Sequence, residues 1–351
     1  MMNGLLAFSG VNTKIRAMQK NFISEEGFRE IVSLPDVPAI INYLRRYPCY
    51  KAEFERMGEA ELHRGNVEFL LDNSVYEDYA KIYHFCNEDQ KKFLREYARR
   101  YAIKYLKKCL SYAFIGKTPN PNVYLYRWFY DKYTPLDMDA LFHSTTVEST
   151  LEALKGTEYY PVLSKVHENP EAQLFDYETA LDMYHFRTMW NNRKKLFSKE
   201  GCEVIASGFG TKFDLLNIWY IHRARQNFHM SEADTYALTI PILYKLSSQN
   251  IREMVEAETE EAFRTALDKT FYGRRYTEFG PQNLGDLYEY VGRHVLEVEA
   301  RKYPNSIAVM YRYLYVKEVQ DAALTAAIEC VRYGLSPDEA MENLSAMVRG
   351  I

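Results

Sequence analysis

The residues in this chain that could do chemistry are few, and each lacks a companion that its chemistry requires. Gly116-Lys117-Thr118 has the ending of a phosphate-binding loop. Such a loop needs a glycine five positions earlier, so that backbone N–H groups can wrap the phosphates, and a strand before it. Position 111 is a serine and the residues before it have helical spacing, so no nucleotide site is expected there. Ser207-Gly208-Phe209-Gly210-Thr211-Lys212 lacks the third glycine and the strand–helix context of a dinucleotide site; it reads as an interhelical turn. Asp182 and His185 fall on one helix face, but a carboxylate-bridged metal pair needs Glu-x-x-His from two helices, and no Glu-x-x-His occurs. His222 and His229 share a face without a ligand cluster around them. No nucleophile elbow, zinc-protease motif or Cys/His arrangement is present. The sequence therefore predicts no catalytic residue, no cofactor and no metal.

One segment is strongly charged. Between Lys91 and Lys108, Lys91, Lys92, Arg95, Arg99, Arg100, Lys104, Lys107 and Lys108 stand against Glu96. It reads either as a solvated helix face or as a surface for an acidic protein or anionic headgroups.

The elements that carry these residues are helices. In Lys91–Phe114, residues Leu94, Ala98, Tyr101, Tyr105, Cys109 and Ala113 recur every three or four positions, which lines one helix face. Ser306–Gly334 and Asp176–Phe197 have the same character. Ser336-Pro337-Asp338-Glu339 forms a capping box with proline at the first helical position. Ser231 and Ser24 precede acidic first turns. Loops are expected at Lys117–Asn122, near Glu168–Glu171, at Ser207–Thr211 and at Phe279–Asn283. No alternating run bounded by hairpin turns points to a strand.

Composition fits a helical globular protein of two or three domains, with 351 residues and 47% hydrophobic side chains. A net charge of −4 gives no reason to expect nucleic acid as a partner. Cys49, Cys86, Cys109, Cys202 and Cys330 are widely spaced, which fits free thiols rather than a disulfide or zinc framework. The short apolar run Leu5–Phe8 is not a signal peptide, and no stretch of about 18 apolar residues could span a membrane. The 30 tyrosines suit helix edges and half-buried contacts.

A repeat organises the chain. VPAIINYLRRYPCY from Val37, VESTLEALKGTEYY from Val147 and EEAFRTALDKTFYG from Glu260 recur about every 110 residues. Each has a small residue (Ala39, Ser149, Ala262), a leucine five further on (Leu44, Leu154, Leu267) and a late aromatic. A second element, Arg16-Ala17-Met18-Gln19 with Ser24, returns as Arg223-Ala224-Arg225-Gln226 with Ser231, and loosely at Tyr333–Ser336. The expected organisation is three helical repeat domains, 1–112, 113–228 and 229–351, with pseudo-three-fold symmetry.

In order along the chain, several short motifs resemble one family. They are Val11-Asn12, Ile15–Met18 and Ile23-Ser24; Asn217-Ile218, Arg223-Ala224 and Tyr244–Ser247; and Ser306–Val309, Lys317–Val319 and Tyr333–Pro337. The sequence resembles the C subunit of the V-type/A-type rotary ATPases, equivalent to the d subunit of the eukaryotic enzymes. It departs from the family pattern at Asp321-Ala322-Ala323, where an Asn-Leu/Ile-Arg triplet is usual. The resemblance implies an all-α funnel of three similar domains, non-catalytic and peripheral to the cytoplasmic side of the membrane. Its partners would be the D- and F-type shaft subunits, the rotor-ring proteolipid and the stator membrane protein. Its role would be to couple ATP chemistry to proton or sodium transport. A helical-repeat adaptor of a different soluble complex is the alternative reading. Arg16, Arg223 and Arg225, at matching points of the repeated helix, are expected either to face the central opening or to form ion pairs or helix-end contacts within the chain.

Overall fold

The computed structural model describes residues 2–55, 64–119 and 126–349. Among them all regular structure is helical and no strand occurs. Residues 120–122 of the expected Lys117–Asn122 loop lie outside the described residues. In chain order the helices are α1 (Met2–Gln19), α2 (Glu25–Val32), α3 (Val37–Leu44), α4 (Pro48–Glu55), α5 (Arg64–Phe85) and α6 (Glu88–Phe114). There follow α7 (Arg127–Tyr133), α8 (Met138–Phe142), α9 (Val147–Ala153), α10 (Tyr160–His167), α11 (Leu174–Leu196) and α12 (Lys199–His222). The remainder are α13 (Glu232–Leu238), α14 (Ser248–Val255), α15 (Glu260–Asp268), α16 (Phe271–Arg275), α17 (Leu284–Lys302), α18 (Ile307–Arg332) and α19 (Pro337–Val348). The chain divides into two compact units: Met1–Asn21 with Leu34–Leu196, and Phe22–Ser33 with Phe197–Ile351.

In the first unit a cluster of tyrosines forms part of the core. Tyr76 stacks on Phe129 with centroids 4.4 Å apart and meets Tyr101, Tyr126 and Tyr130 edge to face. The Tyr76 and Tyr130 hydroxyls hydrogen-bond at 2.9 Å, and Tyr79 donates to the Leu94 carbonyl. Each ring brings a large apolar area, and the Tyr76, Tyr79 and Tyr130 hydroxyls find their partners inside, so their burial leaves no orphan polar group. Other tyrosines of this unit, among them Tyr43, Tyr83, Tyr112, Tyr133 and Tyr184, are half-buried, as the sequence suggests.

The second unit packs α12 against α17 and α18, and takes in α2 from far upstream. Phe28, Ile31 and Val32 of α2 are buried. Phe22 stacks on Tyr313 at 5.2 Å, and the Ile23 N–H donates to Gln320 Oε1 at 2.7 Å. Beside Gln320, Lys317 Nζ donates to Asp321 at 3.0 Å, both side chains being buried. Asp321 is the residue at which the family triplet is absent; here it neutralises a buried lysine.

Ser207–Thr211 is not a turn. It runs through the middle of α12. A Cβ on Gly208 would stand 2.5 Å from the Tyr311 ring, and one on Gly210 would stand 2.6 Å from Tyr244. Glycine costs a helix about 1 kcal/mol relative to alanine, and close packing against two tyrosine rings offsets that here. By contrast Gly116, at φ +66°, closes α6 with Gly116 N–H to Ala113 O and Lys117 N–H to Tyr112 O, a Schellman cap. The Gly-Lys-Thr triplet thus begins at the capped end of α6.

The repeat is visible as local structure. The small residue of each copy is the third of a short helix, and its N–H is capped by the side chain of Asp36, Thr146 or Thr259 at α3, α9 and α15. Leu44, Leu154 and Leu267 are fully buried, and so are Tyr50, Tyr159 and Tyr272 that follow them.

Candidate functional site

The sequence-predicted arginines lie at the ends of α1 and α12. Val11, Ile15 and Met18 anchor one face of α1 in the core, leaving Arg16 exposed on the last turn. Arg16 makes no ion pair among the described residues.

The end of α12 is more elaborate. Ser198 caps its start, and a single π-turn, Arg223–Asn227, finishes it. Arg225 Nη1 donates to the Met230 carbonyl, the Met230 N–H to Ala224 O, and Gln226 Nε2 to Ala257 O. Arg225 is therefore a helix-end contact that fixes the turn. His229 sits at φ 51°, a left-handed conformation that costs a non-glycine residue about 1 kcal/mol or more. The result is a tip at which Phe228 is 63% exposed. The Arg223 guanidinium lies 5.6 Å from the Trp219 ring centroid and 5.7 Å from that of Phe228. An exposed guanidinium held against rings keeps N–H donors that suit a carboxylate. Such π-turns concentrate at functional sites.

Two buried polar residues further back along α12 hold loop segments against it. Asp214 accepts from the N–H groups of Tyr244 (3.0 Å), Lys245 (2.6 Å) and Leu246 (3.1 Å), and from the Tyr272 hydroxyl (2.9 Å). Burial raises its carboxyl above the ordinary value, while those four donors oppose the rise. Asn217 both donates to and accepts from the backbone of Ile240. Together they clamp residues 240–246, which have no helix of their own, onto α12. Asn217 appears in the resemblance, whereas Asp214 was missed. Its signal is a carboxylate inside the apolar run Phe213-Asp214-Leu215-Leu216.

The remaining candidates resolve into structural contacts. His222 hydrogen-bonds Glu260 at 3.0 Å, and Asp182 pairs with Lys107 at 2.6 Å. Among the described residues no group of three His, Cys, Asp or Glu side chains could hold a metal ion. The basic segment is paired within its own unit: Lys91 and Arg95 to Glu88, Lys92 to Asp89, Arg99 to Glu96 and Glu158, Lys104 and Lys108 to Asp72. Its positive charge is largely neutralised by carboxylates.

A family model described as "ATP synthase (C/AC39) subunit" matches residues 11–343. The chain belongs to the V/A-type ATPase C-subunit family. It is 22% identical to the A-type ATP synthase C subunit of Methanocaldococcus jannaschii, over 97% of this chain and 86% of that one. Its identity to the Methanosphaera stadtmanae protein of the same name is 22%, over 88% and 80%. To that of Pyrococcus abyssi it is 29%, over 58% and 56%. The family is one of rotary ATPase subunits. No helix among this member's described residues is long and apolar enough to cross a membrane.

Proposed function

We propose that this chain is a non-catalytic rotor socket: it seats the central shaft subunits on the membrane rotor ring and passes torque between them. The family match over residues 11–343 carries this reading. The repeated capped helices at α3, α9 and α15 support a build of three similar domains, which we place in a funnel around a central opening. In this reading the protein sits peripherally on the cytoplasmic side of the membrane, touching the stator membrane protein as well. Arg16 and Arg223 face the opening and receive carboxylates of the shaft. Arg225 acts with them by fixing the turn from which Arg223 and Phe228 project. A part that transmits force needs rigid packing and interfaces, and the Asp214–Asn217 clamp on α12 fits that need.

The test is direct binding. The purified chain is mixed with purified D- and F-type shaft subunits and, separately, with the detergent-solubilised ring, and complexes are resolved by size exclusion. The reading expects a complex with each, and the shaft complex weakened by Arg16→Glu with Arg223→Glu. Binding to neither partner by a folded chain would overturn it.

A further inference from the structure

The second unit contains a cleft that the function above leaves unused. It measures about 190 Å³ and lies between α12, the 240–246 segment, α16 and α17. Its floor is apolar, with Val291 and Tyr272 fully buried, and Val295 and Val298 add to the lining. Lys245 and Arg275 line it and are exposed, and neither makes an ion pair among the described residues. Lys245 Nζ stands 4.8 Å from the Tyr244 ring centroid and 5.7 Å from that of Phe271, whose ring is itself partly in solvent. The cleft thus offers an apolar slot beside two positive charges that form no ion pair among the described residues.

Two observations identify the occupant. A volume of 190 Å³ falls below the roughly 300–1,000 Å³ of small-molecule and cofactor pockets and suits a single large side chain, the kind of slot that anchors a protein partner. In the same lining, Glu299 Oε2 is buried and has no hydrogen-bond partner among the described residues. A buried acceptor needs a donor. A free carboxylate brings none at neutral pH, whereas a peptide brings its backbone N–H. We propose that this cleft is a docking slot for an acidic peptide segment of a partner protein. An aromatic or leucine anchor fills the slot, flanking carboxylates meet Lys245 and Arg275, and a backbone N–H donates to Glu299.

The probe is a dye-labelled peptide with one phenylalanine flanked on each side by two glutamates, titrated by fluorescence anisotropy against the full chain. Saturable binding is expected. It should weaken about tenfold or more with Lys245→Glu and Arg275→Glu combined, with Val298→Asp, and when the peptide phenylalanine is replaced by alanine. Lys245 and Arg275 are exposed, so that double variant should melt with the wild type, which separates lost binding from lost fold. Glu299→Leu should weaken binding while Glu299→Gln, which keeps an acceptor oxygen, retains it. Absence of saturable binding, equal binding of a peptide with lysines in place of glutamates, or equal affinity for phenylacetate alone would each overturn the proposal.

Discussion

Asp214 gives the sharpest quantitative test of how the second unit is held together. Replacing it by alanine removes the acceptor for three backbone N–H groups, at 2.6, 3.0 and 3.1 Å, and for the Tyr272 hydroxyl. The carboxylate is fully buried. Each stranded buried donor costs about 1–3 kcal/mol. Rotation of the Tyr272 hydroxyl and entry of water recover part of that. The net expectation is a loss of about 3–5 kcal/mol, below the sum for four stranded donors. Asp214→Asn should fall between, because the amide keeps one acceptor oxygen but turns an NH2 toward N–H donors. The assay uses the distribution of tryptophans: Trp128 and Trp190 lie in the first unit and Trp219 in the second. With Trp128 and Trp190 changed to phenylalanine, Trp219 fluorescence reports urea unfolding of the second unit alone. Hydrogen exchange should show the Tyr244, Lys245 and Leu246 amides losing protection before the rest of that unit. A loss below about 1 kcal/mol, or unchanged protection of those amides, would refute the reasoning.

Other perturbations test separate parts of the fold. Gly208→Ala places a Cβ 2.5 Å from the Tyr311 ring and should destabilise by about 1–3 kcal/mol in denaturant melts, although alanine favours helix everywhere else. Gln320→Leu strands the Ile23 N–H and should cost about 1–3 kcal/mol, with α2 amides exchanging first. Burial alone would raise the Glu158 carboxyl, but the Arg99 guanidinium and the Tyr184 hydroxyl outweigh it and hold it below its ordinary value of 4.5. Its stabilisation is therefore present above about pH 4.5 and is lost as pH falls through the lowered folded value, so Glu158→Gln should flatten the acid arm of a stability–pH curve. Burial pushes the Cys86 and Cys109 thiols up to about 12; iodoacetamide at pH 8 should leave both unmodified until urea unfolds the chain.

Much of the architecture is legible from periodicity and capping. The Lys91–Phe114, Ser306–Gly334 and Asp176–Phe197 patterns correspond to α6, α18 and α11, and the Ser24, Ser231 and Ser336 caps are made as expected. What local pattern hides is set by distant packing. Gly208 and Gly210 look like a turn because the rings that need their missing side chains, Tyr311 and Tyr244, come from elsewhere in the chain. The placing of α2 in the second unit depends on distant partners such as Tyr313 and Gln320, nearly 300 residues downstream. At the tip, the repeat singled out Arg223, but nothing local distinguishes it from Arg225, which turns back to Met230. The contribution of Trp219 and Phe228 emerges only once the π-turn brings both rings to the guanidinium.

The central claim is coupling, and it is tested by rebuilding the parent ATPase complex in lipid vesicles with and without this chain while recording ATP hydrolysis and ion uptake together. The account predicts that omission leaves hydrolysis by the head running but abolishes ATP-driven ion uptake, and that adding the chain back restores it. Ion uptake that proceeds equally well without the chain would contradict the account.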